Sequence, residues 1–216
     1  MAIDTIIFDL DGTLLNTLTD LTNSVNYALE KHRLPTHSED SVRRMVGNGV
    51  TVLMERAIPG GSSHAEFDGC LKDFKEHYEI HKKDFTKPFA GIMEFLKEAH
   101  TCGYKMAVVS NKFDLAVKGL CQDFFFPYIQ TAIGESPDVA PKPAPDTVLT
   151  AMKELQADPA QCVYVGDSDV DIATARNAGI PCISVSWGFR SRKFLKEHGA
   201  STIIDTVEDL KDTIKM

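Results

Sequence analysis

The chain of 216 residues is long enough for one substantial hydrophobic core with a smaller appended domain. Its 23 basic and 31 acidic residues give a net charge of −8. The basic clusters "VRRM" and "FRSRKF" are short, so we expect neither a nucleic-acid partner nor binding to an anionic membrane. No apolar run is long enough to cross a bilayer, and we expect no secretory signal.

The first predicted element is the strand in "DTIIFDLDGTLLNT", where a short apolar run ends at two acids, Asp9 and Asp11. Residues two apart in an extended chain project to the same side, so the two carboxylates would share one small space. Their repulsion is costly unless a cation or a proton relieves it. An ordinary surface turn, with Gly12 and Thr13 as turn residues, is the alternative.

The next segment, from Asp20 to Lys83, has helical patterns and no convincing strand. "DLTNSVNYALEKH" places apolar residues on one helix face, and "SEDSVRRMV" begins with a predicted N-cap at Ser38. "GVTVLMERAI" ends at "PGG", and "SHAEFDGCLKDFKEHYEIHKK" predicts a long helix. The segment therefore reads as an all-helical insertion.

From Gly91 onward the pattern changes to helices that alternate with short apolar strands. The predicted strands are "YKMAVVS", "YIQTAI", "CVYVGD", "CISVSW" and "STIID". Such alternation predicts an α/β fold, a Rossmann-like parallel sheet with helices on both faces. We expect residues 1–16 and 84–216 to form this core and residues 17–83 to form an inserted helical bundle.

The cysteines are scattered through the chain and have none of the spacings of a zinc site. We expect reduced thiols packed as small hydrophobic side chains, and hence a cytoplasmic location. The five are Cys70, Cys102, Cys121, Cys162 and Cys182.

Polar residues stand at or just beyond the carboxyl ends of several predicted strands, where open parallel sheets bind ligands. Hard oxygen ligands without histidine or cysteine suit Mg²⁺, while lysine, hydroxyl groups and helix N-termini suit a phosphate. The sequence therefore predicts a crevice for phosphoryl chemistry. The residues are Asp9, Asp11, Ser110, Asn111, Lys142, Asp167, Ser168, Asp169 and Asp171.

Each of these residues also has an ordinary structural interpretation. Asp169 is best explained by the dipole of the helix that it begins, and Asp167 and Asp171 could act in the same way. Ser110 and Asn111 could be capping residues, and a lone lysine such as Lys142 is usually solvated. Their predicted convergence, rather than any single residue, favours a site.

Four segments taken in order resemble the signatures of the haloacid dehalogenase superfamily of phosphatases. They are "DLDGT" at 9–13, "VVSN" at 108–111, "KPAPD" at 142–146 and "GDSDVD" at 166–171. The resemblance covers essentially the whole chain, with the helical insertion similar to the family's α-helical cap. "RRMVGNG" and "VSWGFRSRKFLKEHGASTIID" are most similar to the phosphoglycolate phosphatase-like subgroup.

The resemblance implies Mg²⁺-dependent hydrolysis of a small phosphorylated metabolite. Asp9 would be the nucleophile that forms an aspartyl-phosphate, and Asp11 would be the acid and base. Lys142 would neutralise phosphoryl oxygens, with Gly12, Thr13, Ser110 and Asn111 contributing to phosphate binding. Mg²⁺ would be held by Asp9, the backbone carbonyl of Asp11, Asp167 and, directly or through its outer shell, Asp171.

The cap is the segment expected to select the leaving group. In it, Gly47, Asn48 and Gly49 form either a substrate-contacting loop or an ordinary helix–helix turn with Gly47 as C-cap. Inorganic pyrophosphate and sugar phosphates remain alternative substrates. Dehalogenation does not suit Asp11, and a receiver-type signalling domain does not suit the helical insertion. The oligomeric state, monomer or dimer, stays open.

Overall fold

The structure, a computed structural model, describes residues 2–216, which divide into two compact units. The core unit consists of the chain up to Leu15 together with Pro88–Met216. The helical unit is Asn16–Lys87. Within the described residues, no helix is both long enough and apolar enough to span a membrane.

The predicted alternation of strands and helices after Gly91 is confirmed. In chain order the strands are β1 (Thr5–Phe8), β2 (Leu15–Asn16), β3 (Lys87–Pro88), β4 (Lys105–Phe113), β5 (Thr131–Glu135), β6 (Cys162–Gly166), β7 (Cys182–Val185) and β8 (Thr202–Ile204). The helices are α1 (Leu18–Lys31), α2 (Glu39–Met45), α3 (Val50–Ala57), α4 (Phe67–His81), α5 (Ile92–Thr101), α6 (Asp114–Phe124), α7 (Asp146–Leu155), α8 (Asp169–Ala178), α9 (Arg192–Glu197) and α10 (Val207–Ile214).

Six of the strands in residues 2–216 form one sheet, in the order β5-β4-β1-β6-β7-β8, and each neighbouring pair is parallel. β1 lies between β4 and β6, with Phe8 opposite Val108 and Val165. The short strands β2 and β3 lie where the chain passes from one unit to the other, and they pair with each other in a separate two-stranded sheet. The central place of β1 puts its carboxyl end beside those of β4 and β6.

Both faces of the sheet are covered by helices, as predicted. Alternate residues of β1 point to opposite faces, so Ile6 and Phe8 join one apolar cluster and Ile7 joins the other. The first cluster includes side chains from α5, α6 and α10, and the second includes side chains from α7 and α8. This two-sided burial explains why the strand reads as a continuous apolar run.

Two strands differ from the sequence prediction. β4 does not end at Ser110 but continues to Phe113, with an irregular register between Val109 and Phe113. β5 begins only at Thr131, because the amides of Tyr128 and Ile129 still donate to the carbonyl of Phe125 in a helical turn. The extension of β4 carries two polar residues, Asn111 and Lys112, into the carboxyl edge of the sheet.

The helical unit contains the four predicted helices, α1 to α4, and the predicted N-cap at Ser38 is confirmed by a bond from the amide of Ser41. α4 begins at Phe67 rather than at residue 63, because Gly61–Ser63 forms a separate 3₁₀ turn. The buried carboxylate of Asp20 accepts bonds from the amides of Phe85 and Thr86. α1 is thereby tied to the end of the same unit.

Candidate active site

The carboxyl end of β1 places Asp9 at the edge of the sheet. The amide of Asp9 donates to the carbonyl of Val165 at 2.9 Å, so the chain stays extended up to this residue. The chain then turns at Gly12, whose φ of +93° favours glycine. A Cβ on Gly12 would lie 2.5 Å from an Asp167 oxygen, so glycine is also needed for this close approach.

Lys142 is the buried cation at the centre of the cluster. Its Nζ donates to Asp9 Oδ1 at 2.6 Å, to Asp171 Oδ1 at 2.7 Å and to the Tyr164 hydroxyl at 3.0 Å. Burial alone would lower the pKa of Lys142, but the two carboxylates together raise it. The ammonium therefore remains charged, as phosphoryl chemistry requires.

Asn111 holds the backbone that carries Lys142. Its side-chain amide donates to the Lys142 carbonyl at 2.9 Å, and its oxygen accepts from the Lys142 amide at 2.7 Å. Ser110 is buried beside it, and its hydroxyl accepts from the amide of Lys112 at 3.2 Å. The carboxyl end of β4 thus positions both the lysine segment and a hydroxyl at the edge of the sheet.

Asp171 and Asp167 enter the cluster from the segment after β6. Asp171 and Ser168 form a capping box at the start of α8, with Asp171 Oδ2 accepting the Ser168 hydroxyl at 2.6 Å. Asp167 Oδ2 accepts the amide of Phe189 at 2.6 Å. Thr13 Oγ1 lies 3.4 Å from Asp9 Oδ2 and 3.5 Å from Asp167 Oδ1, so it bridges the two carboxylates.

The carboxyl groups differ in how readily they ionise. Burial raises the pKa of Asp9 well above its ordinary value, although Lys142 opposes this shift. Burial together with Asp171 raises the pKa of Asp167 to about 7. Burial also disfavours the Asp171 anion, but Lys142 and the hydrogen bonds to Asp171 lower its pKa overall. The fully ionised cluster would carry more negative charge than its one lysine can offset, and Asp9 and Asp167 therefore resist ionisation.

A divalent cation fits this excess of negative charge. Asp9, Asp167 and Asp171 each offer a carboxylate oxygen, and these oxygens lie within 4.8 Å of one another. The donor set contains only hard oxygen atoms, which suit Mg²⁺ rather than a softer metal. Asp171 already accepts three side-chain hydrogen bonds, more than Asp9 or Asp167. The donors are Lys142, Tyr164 and Ser168.

Asp11 is placed near Asp9 but has its own cation. Its Oδ1 lies 3.0 Å from Nζ of Lys112, and the two side chains are 13% and 4% exposed. The paired acids that end β1 therefore have separate lysine partners, Lys142 for Asp9 and Lys112 for Asp11.

Three residues of this cluster were missed by the sequence analysis. Lys112 follows Ser110 and Asn111 directly, and its position at a strand end was a usable signal. Tyr164 lies inside the apolar strand β6, and nothing in its pattern marks a hydroxyl that bonds Lys142. Gly188 lets its segment approach Asp167, because a Cβ there would lie 2.4 Å from the Asp167 Cβ.

The segment "VGNG" of the helical unit joins α2 to α3. Gly47 and Gly49 have φ angles of 126° and 84°, and Gly49 is the N-cap of α3. The Asn48 side-chain oxygen accepts from Arg56 Nη2 at 2.9 Å, while Arg56 Nη1 donates to the Met45 carbonyl at 2.7 Å. The loop is therefore held within the helical unit itself.

Comparison with known proteins agrees with this arrangement. Residues 6–185 match the family described as haloacid dehalogenase-like hydrolase. A phosphoglycolate phosphatase of Caulobacter vibrioides is 36% identical, over 95% of this chain and 88% of its own length. That of Pseudomonas syringae pv. tomato is 33% identical, over 95% of this chain and 77% of its own.

A solved structure from Lactobacillus delbrueckii subsp. bulgaricus has the same fold along its whole length. It is assigned as a phosphoglycolate phosphatase, and its TM-score is 0.94 at 37% identity, with 99% of each chain covered. The family match, the curated relatives and this structure agree with one another. The chain therefore belongs to the haloacid dehalogenase-like hydrolase family, as a phosphatase similar to the phosphoglycolate phosphatases.

Proposed function

We propose that this phosphatase hydrolyses a small phosphomonoester through a phosphoryl-aspartate formed on Asp9, with phosphoglycolate as the first candidate substrate. The observation that carries the proposal is the buried pair of Asp9 and Lys142, whose atoms lie 2.6 Å apart within a cluster of carboxylates. A nucleophile held beside a fixed cation suits attack on a phosphorus whose oxygens become more negatively charged.

Asp9 acts as the nucleophile in the first step. Its carboxylate oxygen forms a bond to phosphorus while the bond from phosphorus to the leaving oxygen breaks. Thr13 and Lys142 hold the Asp9 carboxylate in one orientation from two sides. Lys142 also offers its positive charge to the phosphoryl oxygens, which lowers the repulsion between them and the nucleophile.

Asp11 transfers protons in both steps. It gives a proton to the leaving oxygen in the first step, and in the second it takes one from the water that attacks phosphorus. The bond between Asp9 and phosphorus then breaks and releases inorganic phosphate. Gly12, Ser110 and Asn111 complete the set around the phosphoryl group, with Asn111 acting through the backbone of Lys142.

Mg²⁺ is the cofactor that we propose for the carboxylate cluster, with Asp9, the Asp11 carbonyl, Asp167 and Asp171 as the residues that would hold it. When bound, the ion supplies positive charge that offsets the repulsion between carboxylates and phosphate. Asp167 is its clearest ligand, because its raised pKa of about 7 reflects a buried carboxylate with too little positive charge nearby. Asp171 contributes directly or by orienting Lys142.

The leaving group is recognised, in our proposal, by the helical unit acting as a cap, with Gly47, Asn48 and Gly49 as its contact loop. The support for phosphoglycolate as substrate comes from the names of relatives that share 33–36% identity with this chain. Inorganic pyrophosphate and sugar phosphates are the alternatives, because the carboxylate cluster binds the part that all these substrates share.

A phosphate-release assay over a panel of substrates tests this function. The panel holds phosphoglycolate, pyrophosphate, two sugar phosphates and p-nitrophenyl phosphate, each with Mg²⁺ present. We expect the highest kcat/KM for phosphoglycolate and trapping of a phosphoprotein that Asp9→Asn abolishes. A stable phosphoprotein without turnover would indicate a signalling receiver instead, and release of chloride from a haloacid would indicate a dehalogenase.

A further inference from the structure

Lys112 is a buried cation in the active site to which the proposed reaction assigns no role. Its side chain is 4% exposed, and its Nζ lies 3.0 Å from Asp11 Oδ1. Burying a lysine ammonium lowers the stability of the fold unless the charge is paired. Replacing such a lysine is therefore expected to change stability or activity. Asp11 is its partner at this distance, and Asp11 is the proposed acid and base.

The backbone around Lys112 is fixed by the sheet rather than by a mobile loop. Lys112 lies in β4, and its amide donates to the Ser110 hydroxyl at 3.2 Å. A Cβ on Gly134 would lie 2.7 Å from the Lys112 carbonyl oxygen, so the neighbouring strand packs directly against it. The Gly134 amide also donates to Asp114 Oδ1 at 3.0 Å, which closes this junction.

Each of the two acids that follow β1 is paired with a different lysine. Lys142 binds Asp9 and Asp171, whereas Lys112 binds Asp11. Without Lys112, the Asp11 side chain would lose its cation, and its carboxylate would no longer be held in one orientation. A general acid displaced by about 1 Å can lose about 10²-fold in rate.

We propose that Lys112 is a positioning residue for Asp11: its ammonium holds one carboxylate oxygen so that proton transfer to the leaving group occurs from a fixed place. This inference rests on the proposed function, since it assumes that Asp11 is the acid and base. Lys112 itself transfers no proton and makes no bond to phosphorus. It acts through the buried 3.0 Å ion pair between its ammonium and Asp11 Oδ1.

The leaving group of the substrate separates this role from a structural one. Ethyl phosphate and phosphoglycolate need a proton on the leaving oxygen, whereas p-nitrophenolate leaves without one. The kcat/KM value reports only the steps up to leaving-group departure, so hydrolysis of the phosphoryl-aspartate does not affect it. Lys112→Met should lower kcat/KM by about 10²-fold for both alkyl esters and by less than about threefold for p-nitrophenyl phosphate.

Two further variants and a matched control keep the test decisive. In an Asp11→Asn background, Lys112→Met should have no additional effect on the alkyl esters, because the residue it positions is gone. Lys112→Arg, which keeps the charge, should recover part of the activity toward ethyl phosphate. Lys118→Met is the matched control, because Lys118 forms an exposed pair with Asp114 at 2.7 Å. Lys118→Met should leave kcat/KM unchanged for every substrate.

Every other pattern would overturn the inference. An equal loss of kcat/KM on all esters would indicate that Lys112 binds phosphate. A loss on phosphoglycolate alone would indicate that it binds the substrate carboxylate. No loss at all would make the pair purely structural. If Lys112→Met does not fold by circular dichroism, Lys112→Gln takes its place with the same expectations. A wild-type enzyme inactive on every ester would instead contradict the proposed function.

Discussion

The active-site cluster and the loop at residues 46–49 hold their polar groups in opposite ways. In the cluster, Lys142 is buried and binds Asp9, a residue 133 positions away in the sequence. In the loop, Asn48 is bound by Arg56, an exposed residue 8 positions away. The first arrangement exists only when β1, β4 and the segment after β5 have come together, whereas the second needs only two neighbouring helices.

This difference has an energetic consequence. Removing one partner of a buried ion pair typically costs about 3–5 kcal/mol, because the other charge is left without compensation. An exposed contact of the kind made by Arg56 typically contributes about 0–1 kcal/mol. Substitutions in the loop are therefore tolerated far more easily than those in the cluster. If the loop contacts the leaving group as we propose, the protein can keep its chemistry while its substrate recognition changes.

The largest expected effect is that of Asp9→Asn on turnover. The amide keeps the size of the side chain but cannot attack phosphorus, so kcat should fall by more than about 10³-fold. Steady-state phosphate release measures the loss, and a melting curve checks that the fold remains. Appreciable multiple turnover by this variant would remove Asp9 as nucleophile. Asp169→Asn is the matched control, and it should retain activity, because Asp169 only begins α8.

The second prediction concerns Mg²⁺ and pH. The pKa of Asp167 is raised to about 7 in the folded protein from an ordinary value of 3.8, so folding takes up a proton between these values. The stability that this proton contributes is lost as the pH rises through about 7. Mg²⁺ competes with the proton, so its stabilising effect on the melting temperature should grow between about pH 5 and pH 8.

The control for this prediction is Asp167→Asn, which should show little Mg²⁺ stabilisation at any pH. Activity should also disappear with EDTA and should not return with Ca²⁺, which prefers more ligands and longer bonds than Mg²⁺. A Mg²⁺ effect that is independent of pH in the wild type would contradict a metal site at Asp167.

Much of the fold could be predicted because its signals are local. Apolar runs ending in acids mark the strand ends, and alternation with amphipathic helices marks the parallel sheet. The extension of β4 to Phe113 could not be predicted, because the apolar pattern stops at Ser110, and Asn111 and Lys112 are polar. The segment stays extended because β5 pairs with Val109 before it and with Phe113 after it. Gly134 of β5 also packs closely on the Lys112 carbonyl.

The partners within the site could be predicted only in part. Strand ends predict which polar residues meet, but not which lysine binds which acid. Lys112 and Asp11 are 101 positions apart (112 − 11), and their pairing depends on β4 lying next to β1. The hydrogen bond from the Tyr164 hydroxyl to Asp171 could not be predicted either, because the sequence of its strand is that of an ordinary buried strand. Local sequence patterns do not indicate which residues pair across long distances in the chain.

A third prediction tests a charged cluster of the helical unit that, unlike the active site, serves stability. His32 lies between two carboxylates, with Nδ1 2.7 Å from Glu66 and Nε2 2.8 Å from Asp73. Hydrogen bonds to Glu66 and then to Asp73 raise the pKa of His32. Its contribution is therefore fully present below its ordinary pKa of 6.5 and is lost as the pH rises through the higher folded value.

His32→Gln should accordingly lower the free energy of unfolding by about 1 kcal/mol near pH 6, and by less above pH 8. Urea unfolding at the two pH values measures the difference, while kcat toward p-nitrophenyl phosphate should not change. His198→Gln, at an exposed position of the core unit, is the control. An equal loss at both pH values would mean that the charge on His32 contributes nothing.

The smallest expected effect belongs to the loop, and it concerns selectivity rather than rate. Asn48→Ala and Arg56→Ala remove the same 2.9 Å hydrogen bond from its two sides. If the bond only stiffens the turn, both variants should change kcat/KM equally for every substrate of the panel. If Asn48 also contacts the leaving group, Asn48→Ala alone should change phosphoglycolate and sugar phosphates unequally, by about threefold, which corresponds to about 0.7 kcal/mol. Turnover of p-nitrophenyl phosphate should survive in both variants, because the carboxylate cluster that we propose acts on phosphorus lies in the core unit. A uniform effect would contradict the proposed contact between Asn48 and the leaving group.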